Sequence, residues 1–143
     1  MESMSLKDPE NMLDNVISNL REDFQRIHEA PEQPLDDIKP PKKPGVYMIF
    51  FEGKLQYIGS TKDLHTRIKR LLSGKKRYHT LARKLCEMRG WEESKVSDFL
   101  KSKAIIKFIE SSCIYRARIL ENVLIAIYQP TYNKSLRELL KKS

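Results

Sequence analysis

Apolar residues recur at helical spacing near the start of the chain. Over residues 9–29, Leu13, Val16, Ile17, Leu20, Phe24 and Ile27 form one stripe, which predicts an amphipathic helix that must bury that stripe against the body or a second copy. Asp8 is suited to cap its start, and Pro9 to its first turn. Pro31, Pro34, Pro40, Pro41 and Pro44 then disrupt any helix and predict an extended linker over 31–43. Gly45–Phe51 is rich in β-branched and aromatic residues and apolar on both faces, which predicts a central strand. A turn at Glu52-Gly53-Lys54 leads into a return strand, Leu55–Ile58. Helices follow to about Leu72, over Arg77–Arg89 and over Glu93–Lys101. Ser60 or Thr61 is expected to cap the first. Ala104–Ile109 predicts a strand. Ser111 or Ser112 caps a last helix that ends before Pro130. The order predicts an α+β fold, with an N-terminal helical extension (1–30), a linker (31–43) and one main domain (44–143).

Charge sharpens this division. Residues 1–40 carry 4 Lys/Arg against 10 Asp/Glu, while residues 41–143 carry 23 against 9. An acidic arm on a basic body points to a polyanion partner, with nucleic acid the first to consider. The densest basic block, Lys62–Arg89, holds ten Lys/Arg, and the candidate contacts in it are Lys62, Lys69, Arg70, Lys75, Lys76, Arg77, Arg83 and Lys84. No apolar run is long enough for a membrane span and no basic-then-apolar leader opens the chain. The cysteines, Cys86 and Cys113, lie far apart and are expected as small core residues. Together these features suggest an intracellular protein, cytoplasmic or nucleoid-associated, in a reducing compartment.

Several residues could carry chemistry. Tyr47 and Tyr57 lie on the two strands of the hairpin. A two-residue loop places them on opposite faces, and a three-residue loop on the same face. Paired aromatics of this kind are also ordinary core elements. Arg67 borders the buried stripe of its helix and needs an anion, from a protein carboxylate or a phosphate. Glu121 falls on the apolar arc of the last helix, with Ile114, Ala117, Leu120, Leu124, Ile127 and Tyr128. A carboxylate there is either ion-paired, with Arg67 for example, or bound to a metal. His79 is a possible auxiliary acid or base, or a surface residue among lysines. Asn133, alone, is a loop residue.

The ordered set resembles the GIY-YIG endonuclease superfamily. It comprises Gly45-Val46-Tyr47, then Tyr57-Ile58-Gly59, Arg67 in a helix, Glu121 in a later helix and Asn133 after Pro-x-Tyr. The resemblance spans about residues 44–135. It implies a small three-stranded antiparallel sheet flanked by helices, and hydrolysis of phosphodiester bonds in DNA with one divalent cation, Mg²⁺ or Mn²⁺. By the same resemblance, Tyr57 is the base or water-orienting residue and Tyr47 its partner. Arg67 clamps the phosphate, Glu121 holds the metal, Asn133 props the site, and Gly45 and Gly59 mark tight backbone approach. The sequence departs from some members, with Leu71 where they carry histidine or tyrosine and Ser60 where repair-type members carry lysine. His79 is then a stand-in.

The stretch after Asn133 is a short basic tail that fits no separate recognition module, so a compact nuclease is expected. It would be sequence-nonselective or structure-selective, in repair, recombination or mobile-element processing. A homodimer through the N-terminal helix is a further expectation. The alternatives are a non-catalytic nucleic-acid-binding module of the same fold and an RNA nuclease.

Overall fold

A computed structural model describes residues 7–134 and Glu138, and the rest of the basic tail lies outside the described residues. The elements in chain order are α1 (Lys7–Glu29), β1 (Gln33–Pro34), β2 (Gly45–Phe51) and β3 (Lys54–Thr61). Then come α2 (Leu64–Leu72), α3 (Thr80–Arg89), α4 (Glu93–Lys103), β4 (Ile105–Glu110) and α5 (Ile114–Tyr128). The sheet is antiparallel, in the order β1-β4-β2-β3. It has four strands, not the expected three, because two residues of the proline segment pair with β4. Proline lacks a donor and is tolerated at an edge, and β1 is an edge strand. Leu35, just beyond it, is fully buried, so this segment packs on the body.

Each sheet face carries its own core. On one, Tyr47, Ile49, Phe51, Tyr57 and Ile106 pack against α2, α3 and α4. On the other, Val46, Met48, Ile58 and Ile109 pack against Ile27 of α1 and against Ala117, Leu120 and Leu124 of α5. β2 is central and buried on both sides, as an apolar strand without alternation requires. α1 docks through its C-terminal half. There the buried Asp23 receives Nε and Nη2 of Arg116, at 2.6 and 2.8 Å. Met12, Leu13, Val16 and Ile17 in its N-terminal half stay exposed.

Helix boundaries correct the expected caps. Asp63 caps α2 through Thr66 N–H, because β3 runs on through Ser60 and Thr61. Cys113 takes the N-cap position of α5 and is exposed, whereas Cys86 is buried. Ile127 and Tyr128 are exposed too, so the buried stripe of α5 is narrower than its apolar composition suggests.

Candidate active site

The hairpin sets the phase of the site. Its turn has two residues, Glu52 and Gly53, with φ of 55° and 78°. Both are left-handed, as a twisted two-residue hairpin requires. That turn alone would place the tyrosines on opposite faces. A bulge restores the phase: Phe50 pairs with Leu55, but Ile49 pairs with Tyr57, which leaves Gln56 as the extra residue. Tyr47 and Tyr57 therefore share a face, with ring centroids 6.3 Å apart. Gly59 is opposite Tyr47, and a Cβ there would run into its hydroxyl and lie 2.5 Å from Cζ. A Cβ at Gly45 would meet the Ile109 carbonyl and lie 2.5 Å from Cδ1 of Leu64. Both glycines are points of tight approach.

Tyr47 is fully buried within a polar network. His79 caps α3, its Nδ1 accepting from Leu81 N–H at 2.9 Å, and its Nε2 lies 2.8 Å from Tyr47 Oη. With Nδ1 an acceptor, the neutral ring carries its proton on Nε2 and donates it to Tyr47. His79 is thus a buried residue, not the surface histidine that its lysine neighbours suggested. Burial, with the Arg67 charge adding to it, holds its pKa well below the usual 6.5. Arg67 donates from Nε to the same hydroxyl at 3.4 Å and from Nη1 to the Tyr78 carbonyl at 3.2 Å. Burial raises the pKa of Tyr47 and of Tyr57, and the opposing pull of Arg67 is too small to reverse it.

Glu121 approaches from the other sheet face. Ser60 Oγ donates to its Oε1 at 2.7 Å. The carboxyl is half-buried and forms no ion pair among the described residues, Arg67 included. Burial raises its pKa, against Ser60, Arg118 and Arg67. It lines a cleft of about 340 Å³ with Tyr57, Thr80, Arg83, Lys84 and Asn133. Asn133 bridges the edge of β3, with Oδ1 accepting from Ile58 N–H at 2.8 Å and Nδ2 donating to Ile58 C=O at 2.9 Å. The cleft therefore wraps an edge strand, with a phenol from one face, a carboxyl from the other and Asn133 across the rim.

This donor set suits a hard divalent cation. Among the described residues no group of three His, Cys, Asp or Glu could form a cage. A lone carboxylate in an open polar cleft matches an ion such as Mg²⁺, which keeps several waters and takes one or two carboxylates. It does not match a zinc-type ligand set.

Of the six candidates, Tyr57, Glu121 and Asn133 line this cleft; Arg67 and His79 line an adjoining one, and the buried Tyr47 joins them through its hydroxyl. The family model of the GIY-YIG catalytic domain matches residues 43–133, a span that contains every one of them. The chain belongs to the GIY-YIG family. The matched span is the catalytic domain of that family. UvrABC system protein C of Syntrophomonas wolfei is 36% identical over 101 residues, which are 70% of this chain and 14% of that relative. The chain thus matches about one seventh of that relative's length. Solved structures of the GIY-YIG N-terminal endonuclease domain of UvrC from Thermotoga maritima include one point mutant bound to a catalytic divalent cation. It has a TM-score of 0.45 and 25% identity, over 79% of this chain and 96% of that one. The form bound to magnesium has a TM-score of 0.43 and 24% identity, over 79% and 97%.

The basic candidates separate into groups. Lys76, Arg77 and Arg83 line a cleft beside the site. Lys84 lines the Glu121 cleft but spends Nζ on the Tyr132 carbonyl, at 2.7 Å. Lys75 lies 5.6 Å from the centre of the Tyr78 ring. Lys62, Lys69 and Arg70 are exposed and line neither cleft. The sequence reading missed Thr80 and Tyr132, and saw in Ser60 only a missing lysine or a helix cap. Alternation along β3 was the available signal for Ser60, since it places Ser60 and Tyr57 on opposite faces.

Proposed function

We propose that this domain is a metal-dependent DNA endonuclease that cuts without sequence preference or by DNA structure, in repair, recombination or mobile-element processing. One observation supports it above the rest: the Glu121 carboxyl, without an ion-pair partner among the described residues, opens onto the cleft that Tyr57 and Asn133 also line. The likeness to UvrABC system protein C favours DNA repair among the pathways. The walls offer cations and hydroxyls, which suit phosphates better than base edges.

In-line attack on a phosphodiester builds negative charge on the phosphoryl oxygens. A divalent cation on Glu121, Mg²⁺ or Mn²⁺, would supply charge stabilisation there. Arg67 faces the same charge and is braced by Tyr47 and Tyr78, so little reorganisation is needed. Tyr57 orients the attacking water and takes its proton. Tyr47, fully buried, accepts from both His79 and Arg67 and so holds the Arg67 guanidinium in place beside Tyr57. His79 acts through Tyr47 as a positioning residue. Asn133 holds β3, and with it Tyr57, in place.

The test is nicking of supercoiled plasmid with Mg²⁺, with Mn²⁺ and with EDTA, extended to duplex, flap and branched substrates. Cleavage by the parent with either metal, and none by Glu121→Ala, is expected. Binding without cleavage by both proteins favours the non-catalytic module, and cleavage confined to labelled RNA favours the RNA nuclease.

A further inference from the structure

A second cleft of about 290 Å³ lies between the end of α2 and the start of α3. Its walls are Arg67, Lys76, Arg77, Tyr78, His79, Thr80 and Arg83. Four of these seven are cations, and none forms a side-chain ion pair among the described residues, although Glu93 accepts from the Lys76 backbone N–H at 2.6 Å. Elsewhere Arg26, Arg89 and Arg116 all have carboxylate partners. Cations grouped around one concavity repel each other, and an anion placed between them relieves that repulsion.

The cleft is also built to hold its cations in place. Tyr78 receives Arg77 Nη2 on its hydroxyl at 2.9 Å, and the guanidinium carbon lies 4.8 Å from its ring centre. The Tyr78 carbonyl accepts from Arg67 Nη1, which ties that guanidinium to the cleft wall. The first turn of α3, with its positive helix end, forms part of the wall. Thr80 and Arg83 line both this cleft and the Glu121 cleft, so the two share a wall.

We propose that this second cleft binds the backbone phosphate adjacent to the scissile one on the cut strand. The inference rests on the nuclease reading of the Glu121 cleft and adds a subsite to it. One strand presents consecutive phosphates along a common path, and two cationic clefts with a common wall match two of them. Bidentate guanidinium contacts from Arg77 and Arg83 would hold the neighbouring phosphate and set the register of the strand for cutting.

The test uses the full chain in EDTA and two short probes, a thymidine dinucleotide with one phosphodiester and the trinucleotide with two. Affinity is read by NMR titration of arginine side-chain signals. In the parent, the second phosphate should tighten binding about tenfold, the scale of one charge-assisted contact. In Lys76→Gln/Arg77→Gln the gain should fall below about twofold, whereas Glu121→Ala should keep it. An equal gain in parent and double variant overturns the subsite, and so does no gain in the parent. Plasmid nicking is scored separately. Nicking by the parent without the second-phosphate gain removes the subsite and keeps the nuclease reading; the gain without nicking does the reverse.

Discussion

The hydroxyl of Tyr47 lies 2.8 Å from Nε2 of His79, and both residues are buried. That contact and the cap to Leu81 together require a neutral ring. The folded pKa of His79 is lowered, so below about pH 6.5 the unfolded chain binds a proton that the folded chain does not. Stability should therefore fall as pH drops from 7 toward 5, with a slope of up to about 1.4 kcal/mol per pH unit from this residue. Urea midpoints at about pH 7.5 and 5.5 measure it. The drop should shrink in His79→Gln, and an unchanged drop would show that another group is responsible.

Glu121 should act on stability with the opposite sign. Its folded pKa is raised above the usual 4.5, so its ionised form opposes folding above that range and the penalty vanishes as pH falls below it. Metal-free Glu121→Gln should melt at or above the parent at about pH 8, with the gap closing by about pH 4. Mg²⁺ should raise the melting temperature of the parent alone. Cleavage should drop at least about 10²-fold. Equal Mg²⁺ stabilisation of both proteins would move the ion away from this carboxyl.

The family set was legible because each member lies in or beside a regular element: Tyr47 and Tyr57 on strands, Arg67 and Glu121 on helices, Asn133 after a helix-ending proline. What decides the facing of the two tyrosines was not legible. Loop length alone left both facings open, and the chain combines a two-residue turn with a bulge at Gln56. The bulge carries no local signal, since it depends on Gln56 donating to the Phe51 carbonyl and accepting Tyr132 N–H on its own carbonyl. His79 misled for a similar reason. Its neighbours in sequence are cationic and exposed, but its own burial depends on residues 32 positions away.

Gly59→Ala should disturb Tyr47 directly. The new methyl overlaps the phenol, and overpacking of this kind costs about 1–3 kcal/mol. Guanidinium chloride unfolding should show that loss, with cleavage falling alongside it. Tyr47→Ala makes room for the methyl, so the double variant should lose less stability than the two single losses added together. Simple additivity would mean that the glycine is needed for another reason.

Burial raises the pKa of Tyr57 while Arg67 opposes it, so little phenolate is present near neutrality. Cleavage at saturating metal should climb with pH through about pH 9, approaching tenfold per unit while phenolate is the minor form. Tyr57→Phe should be slow and its profile flatter. A parent rate that is level from pH 7 to 9 would falsify the base assignment.

Asn133 can be tested by contrast between two substitutions. Asn133→Ala removes both bonds to Ile58, at about 1–3 kcal/mol. Asn133→Asp keeps the acceptor for Ile58 N–H but sets a carboxylate oxygen against the Ile58 carbonyl. The aspartate should therefore destabilise more than the alanine despite its closer shape, as thermal melts above pH 6 would show. Equal losses would indicate that only the N–H contact matters.

The same contact has a consequence away from the chemistry. β3 is an outer strand, and an outer strand with free amide and carbonyl groups is a template on which a foreign chain can polymerise. By occupying both groups of Ile58, Asn133 acts as a gatekeeper against such self-templating. Variants at this position should be prone to fibrillar or amorphous precipitation as well as inactive, a liability that light scattering would register even where substrate is never added.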